Sequence, residues 1–425
     1  VLTQAENDML TQTGPGTPMG ELFRRFWLPV MLADELPGPD CDPKRLRVLC
    51  EDLIAFKDSS GQVGVVDAYC PHRGAPMFFG RNEEDGLRCV YHGWKFDVTG
   101  ACTDLPNAPE GETFKNKVTI TAYPAAEKGG AIWVYMGPRD KQPPLPGYRF
   151  MDLPNTHRYT WKMHIECNYF QSLEGDLDAS HANFLHSTLG DQANNPRINV
   201  RRSDMAALQD RMPRYAIIED TEYGVMNVTT RAGAPGRTRV NIGHWVMPST
   251  TTAGSDRVVS QNNIRVPIDD KNCMFWRIRY NPTEPLSDKE LWEAKHGGFL
   301  YPPLIPGTFT GIDNMHNDYN IDRVMQRNYS YSGIKSFSTQ DTALIEDQRG
   351  PIMDRTAERL VSSDESIIRV RRHLLKAARE LMEGQEPEAA FQPAGYAVRT
   401  AQLDIEEGGS VEDAVQSRLA AVGRA

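Results

Sequence analysis

Four residues in two short loops carry the first chemical signal. "CPHRG", residues 70–74, holds Cys70 and His72, and "CVYHG", residues 89–93, holds Cys89 and His92. A structural zinc site usually draws two cysteines from one knuckle at C-x2–4-C spacing. Here each loop offers one thiol and one imidazole. That mixture suits a two-iron cluster with both thiolates on one iron and both imidazoles on the other, each loop giving one ligand to each metal. Imidazoles in place of two thiolates raise the reduction potential, so the chemistry expected is one-electron transfer rather than structural stapling. Gly74, Gly80, Gly86 and Gly93 let backbone wrap such a group closely, and Trp94 and Phe96 can exclude water.

An electron carrier needs an electron sink, and "DLDASHANFLH", residues 176–186, offers one. Asp178 and His181 are three apart, which on a helix puts them on one face. His186 follows five residues after His181, about 140° round a regular helix. The helix must therefore distort or end between the histidines if both bind one metal. Two histidines and one carboxylate form a facial triad that leaves open positions on iron(II) for O2. Asp341, in "STQDTALIEDQRG", is the preferred carboxylate, because it falls in the first turn of a predicted helix capped by Ser338 or Thr339. Glu346, Asp347, Asp318 and Asp322 compete with it.

The elements that must position these groups follow from patterning. Residues 1–40 read as an entry segment with a helix around Glu6–Leu10, and residues 44–137 as short strands and tight turns. "RDKQPPLPGYRF", residues 139–150, is the expected linker. Residues 213–283 alternate as an antiparallel sheet, and Ser362 and Glu365 open a strong amphipathic helix as a capping box. The organisation expected is 1–143 for the entry segment and cluster domain, 144–384 for the catalytic domain, and 385–425 for an acidic tail. With 425 residues, two domains are the natural prior. A net charge of −10 argues against nucleic-acid or anionic-membrane binding. Seven scattered cysteines, no apolar run of membrane length and no secretory signal point to a reducing cytoplasm.

The two loops resemble the Rieske signature of the oxygenase or ferredoxin subtype. With "GTPMGELFRRFWLPV", "NYFQSLEGDLDASHANFLH" and "QDTALIEDQRGPIMDRTAERL", the chain from Gly14 to about Glu383 resembles the oxygenase component of Rieske non-heme iron oxygenases, most of all the phthalate 4,5-dioxygenase group. The resemblance implies an α+β fold: an N-terminal all-β Rieske [2Fe-2S] domain, then a helix-grip catalytic domain with an antiparallel sheet flanked by helices. It implies cluster ligation by Cys70, His72, Cys89 and His92, mononuclear Fe(II) on His181, His186 and Asp341, and Asp178 as the bridge between clusters. In the family that bridge meets the Rieske histidine of a neighbouring chain, here His92, so a homotrimer or hexamer is implied. An NADH-dependent reductase with FMN and a [2Fe-2S] centre, or a ferredoxin, supplies electrons. The implied reaction is cis-dihydroxylation of a phthalate-like aromatic carboxylate; O-demethylation or monooxygenation on the same fold is the alternative, and a pure Rieske carrier stands further off. Many relatives carry Asn two or three residues before the bridging aspartate, where this chain has Asp176 and Gly175.

An anionic substrate calls for arginine. Candidates are Arg201, Arg202, Arg211, Arg214, Arg231, Arg237 and Arg239, with Arg211 and Arg237 preferred. Phe170, Phe184, Trp245, Trp276 and Tyr280 can line a pocket or fill a core. Metal analysis separates the oxygenase from the carrier: about three irons and two sulfides per chain are expected for the oxygenase, against two irons for the carrier.

Overall fold

A computed structural model of the chain describes residues 1–109, 113–189, 201–202, 212–254 and 259–422. The N-terminal part is a set of small antiparallel sheets. Strands β1 (Trp27–Leu32), β2 (Lys44–Val48), β3 (Glu51–Lys57), β4 (Val63–Asp67), β5 (Arg81–Glu83), β6 (Gly86–Arg88), β7 (Lys95–Phe96), β8 (Cys102–Asp104), β9 (Ala122–Tyr123), β10 (Ala125–Lys128) and β11 (Ala131–Tyr135) form it. They assemble as β2-β3-β4-β9, β5-β6-β7-β8 and β1-β11-β10. The two Cys–His loops hang between the first two sheets over a core of Ile54, Phe56, Val66, Met77, Leu87 and Phe96.

The C-terminal part is built on one antiparallel sheet. Its strands are β12 (Arg158–Ile165), β15 (Arg214–Thr221), β16 (Gly224–Ala232), β17 (Arg237–Val246), β18 (Thr250–Gly254), β19 (Ser260–Asp269), β20 (Asn272–Tyr280) and β21 (Ala401–Glu406); two-residue strands β13 (Thr188–Leu189) and β14 (Arg201–Arg202) pair outside it. The order is β12-β20-β19-β18-β17-β16-β15, with β21 also pairing β17. Alternation decides the faces. Val225, Asn227, Thr229 and Arg231 of β16 share one face with their partners on β17, while Met226 and Val228 share the other with Ile242 and Val240.

The entry segment packs with the catalytic half rather than the cluster domain alone. Helices α1 (Gln4–Thr11) and α2 (Pro18–Arg24) lie on α6 (Glu365–Met382), whose Ile367, Val370, Leu374, Ala378 and Leu381 are buried at the expected spacing. The expected Ser362/Glu365 capping box is replaced by a short 3-10 turn, Ser362–Asp364, in which Asp364 accepts from the Val361 N–H at 2.7 Å. The last forty residues are not a loose acidic tail. Strand β21 extends the sheet, and helix α7 (Val411–Val422) brings Val415 onto Met226, Val228, Val240 and Ile242.

Helix α3 (Tyr169–Leu177), which leads into the Asp178 turn, is fixed at both ends. Asn168 caps it, accepting from Phe170 N–H at 3.0 Å and donating to the main-chain oxygens of Thr11 and Asp270. Glu174 lies in a buried ion network with Arg355 and Arg371; Arg355 also reaches Asn7, and Arg371 also binds Glu358. Asp176 accepts from Thr251, Asn263 and Arg265 on the sheet at 2.5, 3.1 and 2.7 Å.

His244 ties the C-terminal strand region to β17. Its Nε2–H donates to the Arg399 carbonyl, and its Nδ1 accepts from Tyr223 Oη at 2.8 Å. Burial lowers its pKa to about 4. Between about pH 6.5 and 4 the unfolded chain binds a proton at this site and the folded chain does not, so stability falls as pH falls through that window. Its full loss is about 3 kcal/mol. Urea unfolding at stepped pH should show a flatter acid limb in His244→Gln than in the parent; equal slopes would remove His244 from the acid response.

Candidate metal centres and their two cavities

The cluster loops are near copies of each other. Cys70 N–H donates to Ala75 O and Cys89 N–H to Trp94 O, both at 2.8 Å; Gly74 N–H returns to Cys70 O and Gly93 N–H to Cys89 O, both at 2.9 Å. Gly74 and Gly93 adopt φ of 70° and 78°, so the same turn needs the same residue. At Gly93 a Cβ would also meet Pro106 at 2.5 Å. The His72 and His92 rings lie 4.5 Å apart, and His72 stacks on Trp94 at 4.3 Å. The donor set fits a cluster. Burial, with the adjoining Cys89 thiol, pushes the Cys70 pKa up to about 11, and a bound cation would hold it as a thiolate. His72 Nδ1 is buried without a partner. On and beside the loops, Tyr69, Phe79, Val90 and Tyr91 are exposed apolar side chains.

The second candidate centre forms where α3 stops. Asp178 is the C-terminal cap of that helix rather than a residue within it. Its Oδ1 accepts from Ser180 N–H and Oγ–H, each at 2.7 Å, turning the chain before His181. Helix α4 (Ala182–Leu185) then lies between His181 and His186, so the break expected between the histidines takes the form of a single short helical turn. Asp341 comes from α5 (Phe337–Ile345), which begins after Ser336 rather than Ser338 or Thr339. It therefore lies in the second turn of that helix, not the first.

His181 Nε2 and His186 Nε2 approach one Asp341 oxygen, at 3.4 and 3.0 Å. Hydrogen bonds on the far side set the tautomers. His181 Nδ1 faces the Asp178 main-chain oxygen at 2.7 Å, which only accepts, so that nitrogen carries the proton. His186 Nδ1 faces Gln340 Oε1 at 2.7 Å, while Gln340 Nε2–H donates to Ile334 O at 2.7 Å. Both Nε2 lone pairs are thereby turned toward a carboxylate, and His186 Nε2 is buried with no hydrogen-bond partner. Three lone-pair donors converge on one point and call for a cation. Burial opposes charge on His181, but Asp341 outweighs it and raises its pKa to about 8, while both histidines hold Asp341 well below the usual carboxylate range.

The competing carboxylates are otherwise engaged. Glu346 accepts from Glu166 N–H and Tyr319 Oη–H, and Asp322 caps the following helical turn. Asp347 and Asp318 are not in the convergent group. The Asp178 carboxylate does not accept from His181 Nδ1: its Oδ2 lies 3.9 Å away and the main-chain oxygen takes that role, leaving the side chain 26% exposed.

Two cavities border the turn that carries Asp178 and His181. A cavity of about 630 Å³ on the helix side is lined mainly by apolar residues, including Phe184, Leu185, Ile334, Leu344 and Ile367, and reaches Asp178, His181 and Asp341. A cavity of about 360 Å³ on the sheet side is more polar, with Tyr215, Asn227, Thr229, Arg231 and Asn241 beneath Leu177, Ala179 and Ala182. Arg231 thus lines a cavity where Arg237 was preferred. Arg237 is exposed and donates to the Asp404 main-chain oxygen, while Arg239 binds the Asp404 carboxylate at 2.8 and 2.9 Å. Arg214 is exposed on the edge strand; Arg211 lies outside the described residues, as do the side chains of Arg201 and Arg202. Phe170, Trp245, Trp276 and Tyr280 are core residues. Gln340 was not anticipated; its place beside Asp341 is the one hint the sequence held.

Gln340→Leu keeps the fold's apolar volume but releases His186 Nδ1. Iron content after gel filtration should show affinity at the triad weakened about 10–100-fold with cluster iron and sulfide unchanged. Asp341→Ala should lose that iron altogether. Full retention in either variant would refute the assigned role of the residue replaced.

Comparison with known proteins agrees with this geometry. Residues 26–124 match the Rieske [2Fe-2S] domain family, and residues 134–402 match the family described as LigXa C-terminal domain like. The chain is 34% identical to the phthalate 4,5-dioxygenase oxygenase subunit of Pseudomonas putida over 91% of its own length and 88% of that protein. It is 32% identical to the 5,5'-dehydrodivanillate O-demethylase oxygenase subunit of Sphingobium sp., over 92% and 83%. Among solved structures, NdmA of Pseudomonas putida CBB5, a QL mutant with caffeine, superposes with a TM-score of 0.60 at 18% identity, over 92% of this chain and 98% of that one. A cluster domain matched over residues 26–124, a catalytic domain matched over 134–402 and relatives alike along nearly the whole chain leave one assignment: the protein belongs to the Rieske non-heme iron oxygenases, as an oxygenase-component subunit.

Proposed function

We propose that this subunit cis-dihydroxylates an aromatic carboxylate, using O2 and NADH-derived electrons passed on by a reductase or ferredoxin. The observation that carries the reading is a pair of unlike cavities bordering the Asp178 turn, one largely apolar and reaching Asp178, His181 and Asp341, the other more polar and lined in part by Arg231. Cys70, His72, Cys89 and His92 hold the cluster, and His181, His186 and Asp341 hold the iron. When bound, the cluster carries single electrons and the iron activates dioxygen at its open positions.

The chain's own residues do the positioning. The Asp178 main-chain oxygen and Gln340 keep both imidazoles in the tautomer that binds metal. The Asp178 Oδ2, directed away from the turn, is available to accept an imidazole N–H from a cluster ligand. His92 and Asp178 are both partly exposed. The exposed rim of Tyr69, Phe79, Val90 and Tyr91 matches in character the helix-side cavity, where Leu344 is 52% exposed. A second copy docked cluster-first into that cavity brings His92 to Asp178, and repeating the contact head to tail closes a trimer, or a hexamer of two stacked trimers. The sheet-side cavity then takes the aromatic acid, in a polar lining that includes Tyr215, Asn227 and Arg231. Free thiols throughout the chain suit a reducing cytoplasm.

The likeness to an O-demethylase subunit is nearly as extensive, so O-demethylation or monooxygenation is the second reading. Mass spectrometry of products from a panel of phthalates, benzoates and methoxybenzoates decides between them: a cis-diol retains both oxygen atoms from 18O2, a phenol from demethylation does not. For the bridge, Asp178→Asn should retain cluster and iron yet hydroxylate about 10–100-fold more slowly. Turnover at the parental rate would sink that role.

A further inference from the structure

The loop between Ile321 and Ile334 lines the helix-side cavity through Ile321, Gln326, Tyr331, Ser332 and Ile334. Its two ends are pinched together. Asp322 N–H donates to Gly333 O at 2.9 Å, and Gly333 N–H donates to Ser330 Oγ at 3.2 Å. Between them, Asp322 Oδ1 accepts from the N–H groups of Val324 and Met325 and starts the helical turns Arg323–Asn328. The pinch needs glycine on two counts. Gly333 has a φ of 73°, and a Cβ there would meet Asp322 O at 2.6 Å and Gln326 Cβ at 2.8 Å. Compact loops whose ends meet in this way often carry function.

The loop is tied down at three points, each beside a candidate iron ligand or on the helix that carries one. Before the pinch, Tyr319 Oη–H bonds Glu346 at the C-terminal end of α5. That anchor is held under backbone strain. Asp318, Tyr319 and Asn320 take φ of 50°, 53° and 47°, a left-handed conformation least suited to the bulky Tyr319. Within the loop, Tyr331 N–H donates at 2.9 Å to the main-chain oxygen of Ser187, the residue after His186. Past the pinch, Ile334 O accepts from Gln340 Nε2–H at 2.7 Å, and Gln340 Oε1 accepts from His186 Nδ1–H, also at 2.7 Å. Gln340 directly precedes Asp341. The loop therefore joins the segment carrying His186 to the helix carrying Asp341.

We propose that this loop is a positioning clasp for the iron ligands, and that Gly333 is the residue on which it closes. Gly333 acts on the His186 ring through Ile334 and Gln340, and on the His186 main chain through Tyr331 and Ser187. Opening the clasp draws Ile334 O away from Gln340 and frees the amide to turn. His186 then loses the partner that fixes its tautomer and presents Nε2 toward Asp341. Coupling between binding and conformation is reciprocal, so metal at the triad must in turn hold the clasp shut. The inference rests on the reading of His181, His186 and Asp341 as the iron ligands.

The test uses the full chain carrying its cluster and iron. In competition with a ferrous chelator, Gly333→Ala should bind mononuclear iron about 10–100-fold more weakly, with cluster iron and sulfide at the parental level. Ser330→Ala removes the hydroxyl that receives the Gly333 N–H. It should weaken binding in the same direction, and it carries the test if Gly333→Ala does not fold. The loss in Gly333→Ala/Gln340→Leu should be smaller than the product of the two single losses, because both changes release one restraint on His186. Amide hydrogen exchange across 322–333 should slow about tenfold when iron is restored to iron-depleted protein, the usual scale for coupled sites. Parental iron affinity in Gly333→Ala, or in Ser330→Ala where the first does not fold, overturns the clasp. Fully multiplicative losses in the double variant, or exchange indifferent to iron, do the same. Asp341→Ala separates the two levels of inference. If it too keeps its mononuclear iron, the ligand assignment itself is wrong. If it alone loses that iron, the ligands stand and the clasp falls.

Discussion

Two hydrogen bonds on the far side of two imidazoles set the terms for the rest of the molecule. A neutral histidine has one donor and one acceptor nitrogen, and the choice between them is made by whatever the first nitrogen touches. Here His181 Nδ1 meets a main-chain oxygen and His186 Nδ1 meets an amide oxygen whose own orientation is fixed by Ile334. Neither partner is ionisable. The remaining lone pairs are presented to Asp341, the Asp178 carboxylate stands 3.9 Å behind His181 Nδ1 without bonding it, and the candidate ligand set itself carries the charge of one carboxylate.

That arrangement demands accurate placement of α3, α4 and α5 against one another, and much of the buried polar chemistry serves it. Asp176 pins the end of α3 to three sheet residues, Glu174 pins its middle to two arginines, and Asn168 pins its start. Glu174 and Asp176 each meet an arginine, which offsets the cost of holding their charge inside the fold. The sheet in turn is braced from behind by α7 and extended by β21. The triad is a local feature, but the parts holding it still run from Asn7 to the end of the chain.

Legibility in the sequence followed the range of the interactions involved. The cluster loops could be read because ligand, turn glycine and spacing are all local. The amphipathic helix and the alternating strands could be read for the same reason. The triad was readable only in part: H-x4-H was visible, yet the way Asp178 caps a helix and accepts from His181 with its main-chain rather than side-chain oxygen depends on the turn actually formed. Gln340 was invisible because an amide beside an aspartate has many ordinary explanations. Which of Arg231 and Arg237 lines the sheet-side cavity is a matter of register. Both residues lie on the same face, but only the strand pairing shows which rung reaches the cavity. Asp176 was noticed only as a departure from relatives; its bonds across the sheet explain why an acid suits that position here.

Strand β21 has one more consequence. It brings Asp404 alongside Arg239, so the segment that forms the outer rim of the sheet-side cavity is encoded some sixty residues after the last candidate iron ligand, on an element with no part in holding metal. The cavity rim and the candidate metal group thus draw on different stretches of one chain, and a change in β21 can reshape the rim without touching a candidate iron ligand.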